Sequence, residues 1–227
     1  MKSLSQGKIF LADERGVAQN DKLKRLSTFN FGKFFNPAKI AIAELYLFNE
    51  DMIAGGQKTN FDIETNSYVF ILPITGAVDY LDDTGNETPV GVEEALIVFA
   101  EKGTRVQLSN PYQKNVITYL CICLKADKIA PNHPHFFTFD LSTQNELIKF
   151  GTKALPFSVH IGRFAGRREA VQLLNKNSTF YAFSVTGAFE IDGRLLHEKD
   201  GLALWSTEQI ELEALSNNAV ILTLEIF

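Results

Sequence analysis

The chain has 227 residues, of which 45% are apolar and 22% charged, with a formal net charge of −5 and an isoelectric point near 5.4. This composition is typical of a globular protein with an ample core, and the acidic balance argues against a nucleic-acid-binding surface, which needs a basic excess. The first residues contain no apolar signal segment and no later stretch is long enough to span a bilayer, so we expect a cytoplasmic protein without a membrane partner.

Short runs of Val, Ile, Phe, Tyr and Leu, broken by Gly, Asn, Asp and Pro, predict β-strands throughout the chain. One pattern occurs twice, at residues 68–79 and 180–190. Each copy contains a strand-like run and a Thr-Gly-Ala step, and each is followed by a turn. Glycine at such a step permits the bend with which a strand turns a barrel corner. The repeat is about half the chain long and predicts two stacked β-barrels.

Two segments of the first copy resemble the two sequence motifs of the cupin family. They are residues 56–76 and 103–110. The first cupin motif normally carries His-x-His, and Asp62 and Glu64 occupy those positions here. In the second motif, Val106 occupies the histidine position and Leu108 occupies the nearby carboxylate position. The scaffold of a cupin is therefore recognisable, while its usual metal ligands are replaced.

The replacements change what the site can bind. Val106 and Leu108 are two apart on a strand, so both would point into the same cavity and supply only methyl groups, which have no lone pair for a metal. Asp62 and Glu64 offer two carboxylates, and a hard cation would need further oxygen ligands. We therefore predict no metal ion and no cofactor. The two carboxylates form either an exposed barrel rim or a pair facing the cavity, where burial and repulsion would raise the pKa of at least one.

Cysteine and histidine pairs supply the remaining candidates for metal or redox chemistry. Cys121 and Cys123, the only cysteines, lie two apart in a strand-like run, and we interpret them as small buried core residues in a reducing compartment. His133 and His135 form the only His-x-His of the chain. They lie in a proline-bearing segment without a third ligand nearby, so we interpret them as an exposed linker feature.

The domain organisation follows from the repeat. We place an N-terminal barrel at residues 1–125, an interdomain connection at 126–157 and a C-terminal barrel at 158–227. The connection contains three prolines, and its residues 141–150 have the composition of a short helix. The predicted fold is all-β, with two tandem cupin-type barrels (a bicupin) joined by a linker with a short helix.

Further segments make the resemblance more specific, because they look like the pirin family and in particular its bacterial pirin-like members. They are residues 12–16, 27–37, 51–56 and 200–205. The resemblance implies a bicupin with one metal site, in the N-terminal barrel, held by three histidines and one glutamate. Those ligands fall on Asp62, Glu64, Val106 and Leu108, and none is preserved. Some bacterial members act as quercetin 2,3-dioxygenases, and others are protein-binding transcriptional cofactors, so the resemblance also implies a protein partner.

We interpret the chain as a pirin-like bicupin that binds a small apolar or aromatic ligand, or regulates a partner, without a metal. The predicted ligand pocket contains Asp62, Glu64, Tyr68, Val106 and Leu108, and no residue is assigned a catalytic role. A cavity lined by Val and Leu is dry, which favours apolar ligands oriented by a few polar groups.

The alternative interpretation is an enzyme acting in the N-terminal barrel. One version is a quercetin 2,3-dioxygenase-like protein with a metal held by other residues. The other is metal-independent and uses Asp62 and Glu64 as general acid and base.

Overall fold

The computed structural model describes residues 5–82, 85–127, 134–152 and 154–227, and nearly all its regular structure is β-strand. The described residues divide into two compact units: an N-terminal unit of residues 15–138, and a C-terminal unit that joins residues 5–14 to residues 139–227. In chain order the elements are β1 (Gln6–Phe10), a 3-10 helix (Ala12–Glu14), β2 (Gly16–Gln19), β3 (Leu23–Ser27), β4 (Leu45–Ile53), β5 (Lys58–Asp62), β6 (Ser67–Thr75), β7 (Val78–Leu81), β8 (Glu87–Val90), β9 (Glu94–Ala100), β10 (Arg105–Ser109), β11 (Ile117–Lys125), β12 (His135–Thr138), β13 (Ile148–Phe150), β14 (Phe157–Phe164), β15 (Glu169–Leu173), β16 (Thr179–Thr186), β17 (Phe189–Ile191), β18 (Arg194–Leu196), β19 (Gly201–Trp205), β20 (Gln209–Ala214) and β21 (Ala219–Ile226).

The N-terminal unit is built from two antiparallel sheets. The larger has seven strands in the order β12-β9-β6-β11-β4-β3-β2, and the smaller has four in the order β5-β10-β7-β8. One apolar core joins them, with Leu47 and Cys121 from the larger sheet and Phe61 and Val106 from the smaller. Strands that alternate apolar and polar residues bury one face in this way, because successive side chains point to opposite sides.

The C-terminal unit repeats the arrangement. Its six-stranded sheet has the order β1-β19-β16-β21-β14-β13, and its four-stranded sheet has the order β15-β20-β17-β18. The core again takes side chains from both sheets, including Phe164 and Ala182 from the first and Ile191 and Leu212 from the second. The prediction of an all-β fold with two tandem barrels is confirmed.

The two Thr-Gly-Ala steps take the conformation that only glycine adopts easily. Gly76 follows β6 with φ of 73°, and Gly187 follows β16 with φ of 75°. In both units the strand before this glycine has a register shift opposite its partner, β11 or β21. The repeated step therefore marks the bend at the end of β6 and of β16.

The units differ in their bounds from the division drawn from the sequence. Strand β1 pairs with β19, from Gln6 opposite Trp205 to Phe10 opposite Gly201, so the start of the chain lies in the C-terminal unit. Strand β12 pairs with β9, so residues expected in the connection complete the N-terminal sheet. Both differences come from pairing between strands that are distant in sequence, which local composition does not reveal.

The short helix expected at residues 141–150 does not form. The backbone N–H of Ser142 donates to Asp140 Oδ1 at 2.7 Å, and Asn145 has a left-handed φ of 68°. Residues 148–150 instead form β13, which pairs with β14. An extended backbone allows both the hydrogen bond from Ser142 to Asp140 and the pairing of β13 with β14. These interactions outweigh the modest helical propensity of the segment.

The cysteines and the histidine pair have different outcomes. Cys121 and Cys123 are both buried free thiols of the N-terminal core, which confirms the prediction that they are buried core residues. His133 lies outside the described residues. His135 is not an exposed linker residue, because it begins β12, is half-buried and stacks on Phe137 with ring centroids 6.3 Å apart.

Within the described residues, no helix has the length and apolarity that a membrane crossing requires.

Candidate ligand-binding site

Val106 and Leu108, two of the predicted pocket residues, lie on β10 and are fully buried. They pair with Phe61 and Thr59 of β5, and the members of each pair share the inward face of the sheet. The prediction that both aliphatic side chains point into the barrel is confirmed. They pack inside the apolar core of the N-terminal unit.

Asp62 and Glu64 lie on the outer side of the same sheet. Phe61 and Ile63 are buried in the core, so the alternation along the strand directs the two carboxylates outward. Asp62 pairs with Arg105, whose Nε and Nη2 donate to its two carboxylate oxygens at 2.8 and 3.2 Å. Both side chains are about 60% exposed. Of the two alternatives that the sequence allows, Asp62 and Glu64 therefore follow the exposed rim and not the inward-facing pair.

The electrostatics of Asp62 follow from this pairing. The hydrogen bonds from Arg105 lower the pKa of the Asp62 carboxyl, and the charge of Arg105 acts in the same direction. Asp62 is accordingly ionised near neutral pH. It has none of the burial that raises the pKa of a general acid into the working range.

Tyr68 lies on the opposite face of β6 from the core residues Val69 and Ile71. It is buried, and its ring meets that of Phe99 edge-on with centroids 5.8 Å apart. Burial raises the pKa of its hydroxyl. Tyr68 is thus separated from the barrel interior by its own sheet, and the five predicted pocket residues do not meet at one site.

The inward-facing residues of β5 and β10, together with Ile63 just after β5, do not supply the ligands that a transition metal needs. Phe61, Ile63, Val106 and Leu108 present only carbon atoms to the barrel interior. A catalytic metal centre needs imidazole or carboxylate donors and an open position. Among the described residues, no three His, Cys, Asp or Glu side chains are grouped so that they could hold a metal ion. The donor set does not fit the metal that the fold family implies.

The N-terminal unit instead has an open cleft of about 440 Å³, which we call the aromatic cleft. Five aromatic side chains dominate its wall, with two carboxylates at one side. The lining residues are Asn30, Phe31, Gly32, Phe34, Phe35, Tyr46, Leu47, Phe61, Asp62 and Glu64. Asp62 and Glu64 therefore border this cleft, which is not the packed interior that contains Val106 and Leu108.

A short loop supplies three of the aromatic rings. Phe31 and Phe34 exchange two backbone hydrogen bonds of 3.2 and 3.0 Å around Gly32, whose φ of 58° suits the tight turn. Asn30 Oδ1 accepts a hydrogen bond from the backbone of Asn36 at 2.7 Å and closes the loop. Phe35, at the tip, is 78% exposed. The run of Phe, Asn and Gly at 29–36 was the available sequence signal, and it pointed to the family rather than to a site.

A buried ion pair between Arg25 and Asp51 contacts two of the aromatic rings that line the cleft. Arg25 Nε and Nη2 donate to Asp51 at 2.7 and 2.6 Å, and the Tyr119 hydroxyl donates to the same carboxylate at 3.0 Å. The guanidinium lies 4.9 Å from the ring centroid of Phe31 and 6.0 Å from that of Phe61. These distances are typical of cation–π contacts. Arg25 thus links the charged interior to the rings that line the aromatic cleft.

The C-terminal barrel contains a separate polar cluster around His160. Gln172 Nε2 lies 3.2 Å from His160 Nδ1, and the Thr223 hydroxyl donates to Gln172 Oε1 at 2.8 Å. Because Gln172 uses its oxygen as the acceptor, its amide nitrogen donates to the histidine, which fixes a neutral imidazole with its proton on Nε2. Burial lowers the pKa of His160 from 6.5 to about 4, with Lys149 acting in the same direction and Glu225 opposing it. The cluster is internally hydrogen-bonded and structural.

We expect this histidine to make the C-terminal unit acid-sensitive. Its folded pKa lies below its unfolded value, so the unfolded chain binds the proton more readily between pH 6.5 and about 4. The stability contribution is complete above pH 6.5 and is lost as the pH falls toward 4. His160→Gln should flatten the dependence over this window, measured by urea unfolding followed through Trp205 fluorescence. His197→Gln, at an exposed position, should keep the dependence of the unmodified chain.

Comparisons with known proteins agree with the architecture. Residues 157–226 match the family described as the quercetinase C-terminal cupin domain. Over 224 residues the chain is 25% identical to quercetin 2,3-dioxygenase of Escherichia coli K12, covering 93% of this chain and 95% of that protein. It is 28% identical over 117 residues to the pirin-like protein YhaK of the same strain, covering 51% of this chain and 49% of YhaK.

Solved structures show the same fold. The crystal structure of YhhW from Escherichia coli superposes with a TM-score of 0.85 at 19% identity, over 98% of each chain. YhaK superposes with a TM-score of 0.72 at 20% identity, over 89% of this chain and 93% of that one. The relatives matched over most of the chain, the matched C-terminal domain and the two antiparallel barrels together support a similarity to the pirin-like bicupin family.

Proposed function

We propose that the chain binds a small, flat aromatic ligand in the aromatic cleft of the N-terminal unit, without a transition metal. The cleft itself supports this proposal, since five aromatic side chains and two carboxylates converge on a volume of about 440 Å³. Ligand pockets commonly have volumes of roughly 300–1,000 Å³, with mostly apolar walls and a few polar groups that set orientation.

The chemistry of the lining residues narrows the ligand class. Phe31, Phe34 and Phe35 offer aromatic rings on which the ring of a ligand can stack or which it can meet edge-on. This favours a planar ligand. Asp62 and Glu64 accept hydrogen bonds, so hydroxyl or amine donors on the ligand edge suit that side of the cleft. Two curated relatives of this chain are named quercetin 2,3-dioxygenases, and quercetin is a planar polyphenol of this kind.

The enzymatic alternatives have less support. A dioxygenase of the family type uses a metal, and the inward side chains Phe61, Ile63, Val106 and Leu108 provide no donor atom for one. A metal-independent acid–base mechanism needs a carboxyl with a raised pKa. Asp62 is exposed and its pKa is lowered, so we favour binding without turnover.

We test the proposal at the loop tip, where a substitution is least able to disturb the fold. Phe35→Ala should weaken quercetin binding by about three- to tenfold, because one aromatic contact contributes roughly 0.5–1.5 kcal/mol. Affinity is measured by anaerobic calorimetric titration, and a parallel incubation in air, followed by the absorbance of quercetin, shows whether the ligand is consumed. A smaller flat probe, 2-naphthol, should respond in the same direction.

Phe136→Ala provides a matched control. Phe136 is another exposed phenylalanine of the same unit, at 44%, and it lies on β12 outside the residues that line the cleft. Its substitution should leave both affinities unchanged. Equal losses in the two variants, or no binding of either probe to the unmodified chain, would reject the cleft as the ligand site.

A further inference from the structure

Asn49 is a buried asparagine whose side chain has no hydrogen-bond partner among the residues that the structure describes. Asn49 lies on β4 and is 1% exposed. It is paired with Cys121 of β11 and Ser27 of β3, and Cys121 belongs to the apolar core, so the asparagine faces the interior of the barrel. Within the described part of the chain, neither its Nδ2 nor its Oδ1 makes a hydrogen bond.

Such a residue is unfavourable in the free protein. A carboxamide leaves water with two donors and two acceptor positions, and each group that stays unpaired in a core loses its hydration without compensation. Buried polar side chains are therefore nearly always hydrogen-bonded. The neighbouring inward residues Leu47, Cys121 and Cys123 show that small or apolar side chains fit this face of the barrel. Asn49 is the exception among them.

The position of Asn49 connects it to the cleft. Leu47, two residues earlier on the same face of β4, lines the aromatic cleft, and two residues along an extended strand span about 7 Å. Asp51, two residues later, holds Arg25, which contacts the rings of Phe31 and Phe61 in the cleft wall. Asn49 thus lies between Leu47, which lines the cleft, and Asp51, whose partner Arg25 contacts the rings of the cleft wall.

We propose that Asn49 is the polar anchor for the ligand of the aromatic cleft. This inference rests on the proposed function and adds the recognition chemistry. A carboxamide offers a donor and an acceptor side by side, and its complement is a flat ring with an acceptor and a donor on adjacent atoms. A cyclic amide has this arrangement, and so does a ring hydroxyl beside a carbonyl. Entry of the ring edge requires the Leu47 side chain to leave the cleft floor.

The test uses 2-pyridone, a six-membered cyclic amide whose N–H and carbonyl are adjacent. On the unmodified chain, 2-pyridone should shift the side-chain NH₂ resonances of Asn49 in ¹H–¹⁵N spectra, with those resonances assigned by their loss in Asn49→Leu. N-methyl-2-pyridone, which has no donor, should bind at least about tenfold more weakly, since one lost hydrogen bond leaves the amide oxygen unpaired. Unshifted Asn49 resonances with 2-pyridone would overturn the proposal.

Asn49→Leu separates an anchor from a structural residue. Leucine is close in size and removes the unpaired amide, so the melting temperature of the N-terminal unit should rise while the response to 2-pyridone is lost. The control is Asn110→Leu. Asn110 is also buried, at 4% exposed, but its Nδ2 donates to the carbonyls of Ile53 and Asn115 at 2.9 and 2.7 Å. That substitution should lower the melting temperature. A matching fall in Asn49→Leu would show that the Asn49 amide is already satisfied in the free protein and would reject the anchor.

The two proposals fail differently. Quercetin binding that depends on Phe35, without a 2-pyridone shift at Asn49, would leave the aromatic cleft as the ligand site and dismiss the anchor. A 2-pyridone shift at Asn49 in a chain that binds neither quercetin nor 2-naphthol would support the anchor and reject the larger aromatic ligand.

Discussion

Replacing Asp51 with alanine is expected to lower the free energy of unfolding of the N-terminal unit by about 3–5 kcal/mol, since the other member of a buried ion pair is left uncompensated. Arg25 donates two hydrogen bonds to Asp51, and burial of both side chains keeps water from replacing that partner. Burial alone would lower the pKa of Arg25, but Asp51 reverses this and holds it above its ordinary value. The guanidinium therefore stays charged, and the alanine variant must bury that charge alone.

The measurement has to report on the correct unit. The only tryptophan, Trp205, lies in the C-terminal unit, so hydrogen exchange of the β4 and β11 amides or calorimetry should follow the N-terminal transition. Asp62→Ala is the control, because it removes a carboxylate from an exposed pair with Arg105 and should leave stability unchanged within error. Similar destabilisation in both variants would contradict the importance of burial. Asp51→Ala should also weaken quercetin binding through Arg25 and the Phe31 ring.

Phe10→Ala is expected to destabilise the C-terminal unit by about 3–5 kcal/mol, the usual loss for truncating a buried phenylalanine. Phe10 is 1% exposed, pairs with Gly201 across the β1–β19 ladder, and has its ring 6.2 Å from that of Tyr181. Trp205 Nε1 donates to Gln6 Oε1 at 2.9 Å on the same ladder. Urea unfolding followed through tryptophan fluorescence should therefore detect the loss directly.

The companion variant is Val17→Ala on β2, at a position that is 64% exposed in the N-terminal unit. It should leave the fluorescence transition unchanged. The informative failure would be a Phe10→Ala variant whose N-terminal transition shifts while the Trp205 transition does not, since this would place the first strand in the other unit.

The fold was predictable because two signals agreed. Alternation of apolar and polar residues indicated strands, and the two Thr-Gly-Ala steps indicated bends that Gly76 and Gly187 now account for through positive φ. The parts that sequence reasoning missed depend on distant partners. Strand β1 needs β19, β12 needs β9, and β13 needs β14, and none of these pairings is visible in the local pattern of the strand itself.

At the candidate site, the sequence leaves the facing of Asp62 and Glu64 open. Matching to the first cupin motif position by position favours an inward pair, whereas the structure buries Phe61 and Ile63. A slip of one residue exchanges the two faces of a strand completely. The alternation in residues 58–64, where Thr59, Phe61 and Ile63 interleave with charged and amide side chains, already indicated the correct face. The hydrophobic pattern is the more reliable guide to register because burial enforces it.

The cleft and the unpaired Asn49 could not be found from the sequence in the same way. The cleft combines a loop around Gly32 with strands β4 and β5, and its volume depends on how that loop closes. Asn49 reads as an ordinary polar residue in a strand. Only its burial and the lack of a partner among the described residues make it a candidate for recognition.

The pairing of β1 with β19 has a consequence for synthesis on the ribosome. Gln6 and Trp205 are 199 residues apart, so β1 is translated long before its partner β19. Residues 15–138 contain all their own strand partners and can fold while translation continues. We therefore expect β1 to stay unpaired in the nascent chain after the N-terminal unit has folded. The pairing of β1 with β19 should then be the last and slowest step of folding.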